Sequence, residues 1–153
     1  MFSPIVLLVF FLALTNATEF TIFNNCSQNI TVSSITSYGS SFIEGDVVLL
    51  PQESISTSTT SSHNRWIGNF YVSGSAASLA EFALNQWNGM DFYDISLILG
   101  FNLGIQISPS NGCQEVACTS TPCSQAFMKP SDNFATHECR TGANYIITFC
   151  PSV

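Results

Sequence analysis

Ile30-Thr-Val-Ser-Ser-Ile35 alternates apolar and polar side chains and reads as a half-buried strand. The pattern extends in both directions. Phe20-Thr-Ile-Phe23 precedes it, and Val47 to Leu50 is a short apolar run stopped by Pro51. Ile55 to Thr60, rich in Thr and Ser, reads as a polar strand and turn rather than a linker, because strand-like stretches flank it. Trp66 to Val72, Leu79 to Leu84, Phe92 to Leu99 and Tyr145 to Phe149 add β-branched and aromatic runs, separated by Gly, Asn, Ser and Pro. Leu79-Ala-Glu-Phe-Ala-Leu84 also admits a helical turn on propensity alone. No internal repeat, heptad or long amphipathic helix competes with this pattern. An all-β sandwich or barrel is the economical architecture.

The chain's 153 residues are one domain's worth, and 46% hydrophobic with 12% aromatic residues argues against disorder. Only 8% of residues are charged, against about 25% in an ordinary soluble domain, which speaks against a charge-rich helical bundle. Arg65, Lys129 and Arg140 face ten acids, for a net charge of −7. Such a chain neutralises few phosphates, and nucleic acid is excluded as a main partner.

Residues 1–17 read as a secretory signal. Ile5 to Leu14 is nearly unbroken apolar sequence, and small residues precede a cut before Thr18. A run of that length is half the ~20 residues a spanning helix needs, so no integral membrane segment is expected. The mature domain is expected at residues 18–153. Its six cysteines, at 26, 113, 118, 123, 139 and 150, suit an oxidising compartment and allow fifteen connectivities. Cys118 and Cys123 lack the second ligand pair of a zinc site, and His137 beside Cys139 reads as a packing or surface residue. No metal or cofactor is expected. Gly112 to Arg140 holds four of the cysteines with little apolar periodicity, and reads as a disulfide-stapled loop region. Asn29-Ile-Thr31 is a usable glycosylation sequon; Asn25-Cys-Ser27 and Asn16-Ala-Thr18 match less usefully, at a cysteine and at the cleavage point.

Leu79-Ala-Glu-Phe-Ala-Leu-Asn-Gln86, Asp91-Phe-Tyr-Asp-Ile-Ser96 running into Gly100-Phe-Asn102, and Gly142-Ala-Asn-Tyr145 through Thr148-Phe-Cys-Pro151 resemble the thaumatin-like (pathogenesis-related group 5) family. Phe20-Thr-Ile-Phe-Asn-Asn-Cys26 resembles that family's first strand and first cysteine. The resemblance implies a thaumatin-like β-sandwich of the small type. Larger members carry a disulfide-rich second domain, which here is reduced to the few residues between Cys118 and Cys123, within a reduced insert at 113–139. It further implies the pairs Cys26–Cys150, Cys113–Cys139 and Cys118–Cys123.

The resemblance also implies an acidic cleft. Glu81 matches in Ala-Glu-Phe, Asp94 in Asp-Ile-Ser and Asp132 after the segment that begins at Cys123; Arg65 beside Trp66 is a looser match for the cleft's arginine. Leu99 stands where a further acid is expected, and Asp91 reads as a turn residue rather than its replacement. Ionised carboxylates accept hydrogen bonds from sugar hydroxyls, and a guanidinium keeps neighbouring acids ionised. Tyr93, Trp66 and Trp87 are candidates for stacking on sugar faces, with core packing the expected role of both tryptophans.

Two carboxylates also suffice in principle for glycoside hydrolysis, with Glu81 as acid and Asp94 or Asp132 opposite. The missing insert and Leu99 thin the cleft's wall and field, so binding ranks above catalysis. The expected function is a secreted, monomeric binder of β-1,3-glucan or a related cell-wall polysaccharide, defence-related or antifungal. The alternatives are a weak endo-β-1,3-glucanase and a scaffold-only extracellular interaction protein, an inhibitor or effector.

Overall fold

The structure, a computed structural model, describes residues 17–59 and 65–152. The signal segment read at residues 1–17 therefore lies, but for its last residue, outside the described residues. The first half of the chain forms β1 (Glu19–Asn24), β2 (Ile30–Tyr38), β3 (Val47–Leu49), β4 (Ser54–Ser58), β5 (Trp66–Val72) and β6 (Leu79–Leu84). A short turn at Trp87–Gly89 leads into β7 (Met90–Ser96), followed by β8 (Ile105–Pro109) and β9 (Val116–Cys118). β10 (Ala126–Phe127), β11 (His137–Arg140) and β12 (Tyr145–Phe149) complete the chain. Leu79–Leu84 is a strand, not a helical turn: Ala80, Phe82 and Leu84 point inward at period two, and tertiary pairing overrides propensity.

The strands form two sheets packed as a sandwich. One has the order β4-β1-β12-β8-β9; the other has β10-β7-β6-β5-β2-β3, with β11 also pairing with β7. β1 and β12, the two ends of the domain, pair in parallel, and Cys26–Cys150 links them just beyond the ladder. Between the sheets lies an aromatic core. Phe20 and Tyr145 from the first sheet meet Trp66, Phe70, Phe82 and Tyr93 from the second. The Phe20 ring is 4.8 Å from Phe82, edge to face, and 5.0 Å from Phe70. Such pairs stabilise by about 0.5–1.5 kcal/mol each beyond their burial.

All three expected disulfides are present: Cys26–Cys150, Cys113–Cys139 and Cys118–Cys123. The stapled region is less irregular than its sequence suggests, since β9, β10 and β11 fall within it. These strands have only two to four residues, too few for a periodic signal.

The Gly100-Phe-Asn102 motif has a local explanation. Asn102 accepts hydrogen bonds from the amides of Ser78 and Leu103 and donates to the Val72 carbonyl, tying the β5–β6 connection to the loop after β7. Gly100 adopts a φ of 97° with its Cα close to Ala76, a conformation and a space that exclude a side chain.

Candidate functional site

On the outer face of the larger sheet, Asn69, Glu81 and Asp94 form one row across β5, β6 and β7. Asn69 registers with Glu81, and Glu81 with Asp94. Strand alternation sends these three side chains away from the core, while Phe70, Phe82 and Tyr93 go into it. The row lies in a depression of about 270 Å³ walled by Ser37, Ile67, Ala83 and Phe92. Gly68 lies in the same depression; a Cβ there would collide with the Trp66 ring and the Ile35 carbonyl.

The two carboxyl groups are in hydrogen-bond contact with each other, and Ser96 supports Glu81. Burial raises the pKa of Glu81. Burial and then the negative charge of Glu81 push that of Asp94 up to about 7. At and below neutral pH the pair therefore holds a proton between its oxygens. Oδ1 of Asp94 and Oδ1 of Asn69 are both buried with no donor group against them. A buried acceptor left without a donor costs stability, so these two atoms mark the floor of the depression as a candidate site.

Of the four residues matched to the cleft, Glu81 and Asp94 come together here and the other two are placed elsewhere. Arg65 lies four residues before Asn69 along the strand line, about 13 Å away at strand spacing. Its guanidinium donates to Gln86 Oε1 at 2.7 Å and lies over the Tyr38 ring. Asp132 closes a turn after β10, where its Oδ2 accepts the amides of Met128 at 2.9 Å and Lys129 at 3.1 Å. Leu99 is exposed.

Three expectations about neighbouring residues are corrected. Asp91 is no turn residue: it lies in β7, fully buried, and accepts hydrogen bonds from the Asn85 amide, the Thr141 hydroxyl and the Tyr145 hydroxyl. Those three donors hold a carboxyl group inside the domain, and burial raises its pKa. Tyr93 faces the core rather than solvent, with its hydroxyl donating to the Gln114 carbonyl at 2.6 Å. Trp87, assigned to the core with Trp66, is 82% exposed, whereas Trp66 is buried and donates to the Ser40 carbonyl. Parity decides each case, and the turn after β6 resets that parity before Met90.

A Thaumatin family model matches residues 72–130, which span β6 to β10 and hold Cys113, Cys118 and Cys123. That stretch holds the Glu81–Asp94 pair. A pathogenesis-related protein 1A/1B of Hordeum vulgare is 47% identical over 79 residues, covering 49% of this chain and 43% of that protein. A thaumatin-like pathogenesis-related protein 3 of Avena sativa is 44% identical over 80 residues, covering 52% and 45%. Over this stretch the chain is similar to the thaumatin family. It spans less than half the length of these two relatives.

Solved structures show the same fold at low identity. The protein elicitor MoHrip2 from Magnaporthe oryzae superposes with a TM-score of 0.69 at 17% identity, over 88% of this chain and all of that one. The thaumatin-like xylanase inhibitor TLXI gives 0.64 at 16% identity, over 86% and 99%. Both neighbours share the two-sheet sandwich, and the loop between Cys118 and Cys123 has only four residues.

Among the described residues no helix is long and apolar enough to cross a membrane, and no group of three His, Cys, Asp or Glu side chains could hold a metal. The three disulfides fit an oxidising compartment.

The sequons differ in geometry. Asn29 is exposed in the β1–β2 turn. Asn25 donates its amide nitrogen to the Cys150 carbonyl and the Ser152 hydroxyl, so a glycan there would break both bonds. In a secretory eukaryotic host, Asn29 is expected to carry the glycan. Enzymatic deglycosylation should lower the mass of the purified protein, and Asn29→Gln should abolish that shift. A shift persisting in Asn29→Gln would move the assignment to another asparagine.

Proposed function

We propose that this thaumatin-like chain is secreted after cleavage before Thr18 and binds a neutral cell-wall polysaccharide, of the β-1,3-glucan class, at the Glu81–Asp94 depression. A defence-related role follows from that activity. The observation that carries the reading is the row Asn69–Glu81–Asp94 at the floor of the depression, with two buried acceptor atoms that have no protein donor. A carboxyl pair with one shared proton both donates and accepts, which suits the vicinal hydroxyls of a sugar. Ile67 and Phe92 supply apolar walls for its C–H faces.

The geometry supports binding over hydrolysis. Catalytic carboxyls stand about 5–5.5 Å apart in retaining glycosidases and about 6.5–9.5 Å apart in inverting ones, leaving room for the anomeric carbon or for a water. Glu81 and Asp94 hydrogen-bond to each other, so each carboxyl is engaged by its partner rather than set on the opposite side of a bond to be cut. Asp132, the other sequence candidate, is engaged by two backbone amides.

Sedimentation with insoluble β-1,3-glucan, paired with an assay for released reducing ends, tests the reading. Binding without release is expected. Glu81→Gln keeps the side-chain shape and should weaken binding by about 1–3 kcal/mol, the scale for a hydrogen bond to a charged group and its loss. Release of reducing ends that Glu81→Gln abolishes would make the protein a glucanase. Absence of binding would favour a scaffold-only interaction protein, the second reading, which the exposed Leu99 at an expected acid position also favours.

A further inference from the structure

Trp87 is the most exposed of the large hydrophobic side chains, yet the turn that carries it is held from every side. Asn85, Asn88 and Gly89 take positive φ values of 48°, 60° and 67°, so the backbone follows a path that few sequences adopt. The Asn85 amide is fixed by the buried carboxylate of Asp91 at 2.8 Å, and the Gly89 carbonyl by the Thr141 amide at 3.0 Å. The Gln86 amide bonds the Met90 carbonyl, and its side chain bridges the Leu84 carbonyl and the Arg65 guanidinium. Arg65 in turn lies 5.5 Å over the ring of Tyr38, itself more than half exposed. The backbone beneath an exposed, large apolar ring is thus fixed, and the neighbouring Gln86 holds the Arg65 guanidinium. A fixed backbone reduces the entropy lost when such a ring serves as a binding anchor.

Tyr38 and Arg65 continue the outer face of the sheet that holds the Glu81–Asp94 depression, and the turn of Trp87 adjoins them through Gln86. Arg65, Ile67 and Asn69 share one side of the β5 line, and Tyr38 registers beside Ile67. Four residues of strand, about 13 Å, separate the carboxyl row from Arg65. Resting on the polysaccharide reading above, we propose that Tyr38, Arg65 and Trp87 form an end subsite that takes a distal sugar ring of the same chain.

The surface chemistry selects the ligand. The strip offers ring faces, planar donors and acceptors, and a single cation whose guanidinium is already shared with Gln86. A polyanion or an anionic lipid surface would meet a protein of net charge −7, and is disfavoured. A neutral, hydroxylated chain with apolar ring faces meets each group with its complement.

Titration of β-1,3-linked glucose oligomers of two to six units into the full-length mature protein tests the subsite. Trp87→Ala and Tyr38→Ala should each weaken the six-unit oligomer roughly three- to tenfold, the scale of one aromatic contact, and leave the two-unit oligomer unchanged. Glu81→Gln should weaken both. The six-unit oligomer should also quench the emission of Trp87, and Trp87→Phe should keep most of the affinity. Unchanged six-unit binding in Trp87→Ala overturns the subsite, as does an equal loss for short and long oligomers. Length-dependent loss in Trp87→Ala with no effect of Glu81→Gln would keep the aromatic subsite and remove the carboxyl pair from the binding site. Failure of the unmodified protein to bind any oligomer, with Trp87-dependent capture of a glycoside hydrolase instead, would replace the sugar by a protein partner and overturn both readings.

Discussion

Removing the Cys26–Cys150 bridge by Cys26→Ser with Cys150→Ser is expected to lower unfolding free energy by about 5 kcal/mol. The sequence separation is 124 residues, and the chain-entropy treatment assigns that much to a closure of this length. The native state should survive the change. β1 and β12 stay paired over five register positions, and Asn25 still bonds the Cys150 carbonyl. Most of the loss is therefore a gain of freedom in the unfolded chain. Removing Cys118–Cys123, with a separation of 5, should cost only about 2 kcal/mol by the same treatment. Guanidinium titrations of both double variants check the ratio, and the first should also show a steeper dependence on denaturant. Equal losses would mean that the long bridge stabilises through native contacts rather than through the unfolded state.

A second large effect should come from the Glu81–Asp94 pair. The folded pKa of Asp94, about 7, lies above its ordinary value of 3.8, and that of Glu81 is raised too. The folded state therefore binds protons more tightly than the unfolded chain. The resulting stabilisation is fully present below about pH 4 and is lost as pH rises towards 7, where two buried negative charges face each other. At about 1.4 kcal/mol per pKa unit, the loss across this window is on the order of 2–4 kcal/mol. Asp94→Asn supplies a permanent donor to Glu81 and removes the repulsion. It is expected to raise the melting temperature at pH 8, leave it nearly unchanged at pH 4, and flatten the profile between. Some slope should remain, because burial also raises the pKa of Asp91. Equal destabilisation by Asp94→Asn at both pH values would show that the pair does not share a proton.

The same pair links stability to binding. A ligand hydroxyl that donates to the Asp94–Asn69 acceptors relieves the desolvation that makes the site unstable near neutral pH. Saturating glucan should therefore stabilise the folded protein, and more strongly at pH 7 than at pH 4.

Strand periodicity made much of the fold legible. Ile30–Val32, Trp66–Val72 and Tyr145–Phe149 carry the inside-outside alternation that a half-buried sheet requires, whereas Ser33 is buried and Ile35 exposed because the Ser33-Ser34 step puts Ile35 on the outer parity. The family resemblance supplied the disulfide pairing. Glu81 and Asp94 were legible as candidate residues through their motifs. Their direct contact was not, because it depends on the register between β6 and β7, which no local pattern encodes. The same register sends Asp91 and Tyr93 inward, although a carboxylate and a phenol within a polar motif read as turn and surface residues. Asp91 tolerates burial only because Thr141 and Tyr145, some fifty positions away, converge on it with the Asn85 amide. Trp87 is the reverse case. Its composition predicts burial, but the left-handed turn at Asn85–Gly89 lifts it off the sheet.

Composition and charge alone argued against a helical bundle and a disordered segment, and the all-β sandwich agrees. They did so because these properties sum over residues, whatever the residues' positions. Which side chains meet was decided only by tertiary structure. Contacts across strands depend on registers set by turns and by the packing of two sheets around Phe20, Phe82 and Tyr145, and one slipped residue would exchange every inward side chain for an outward one.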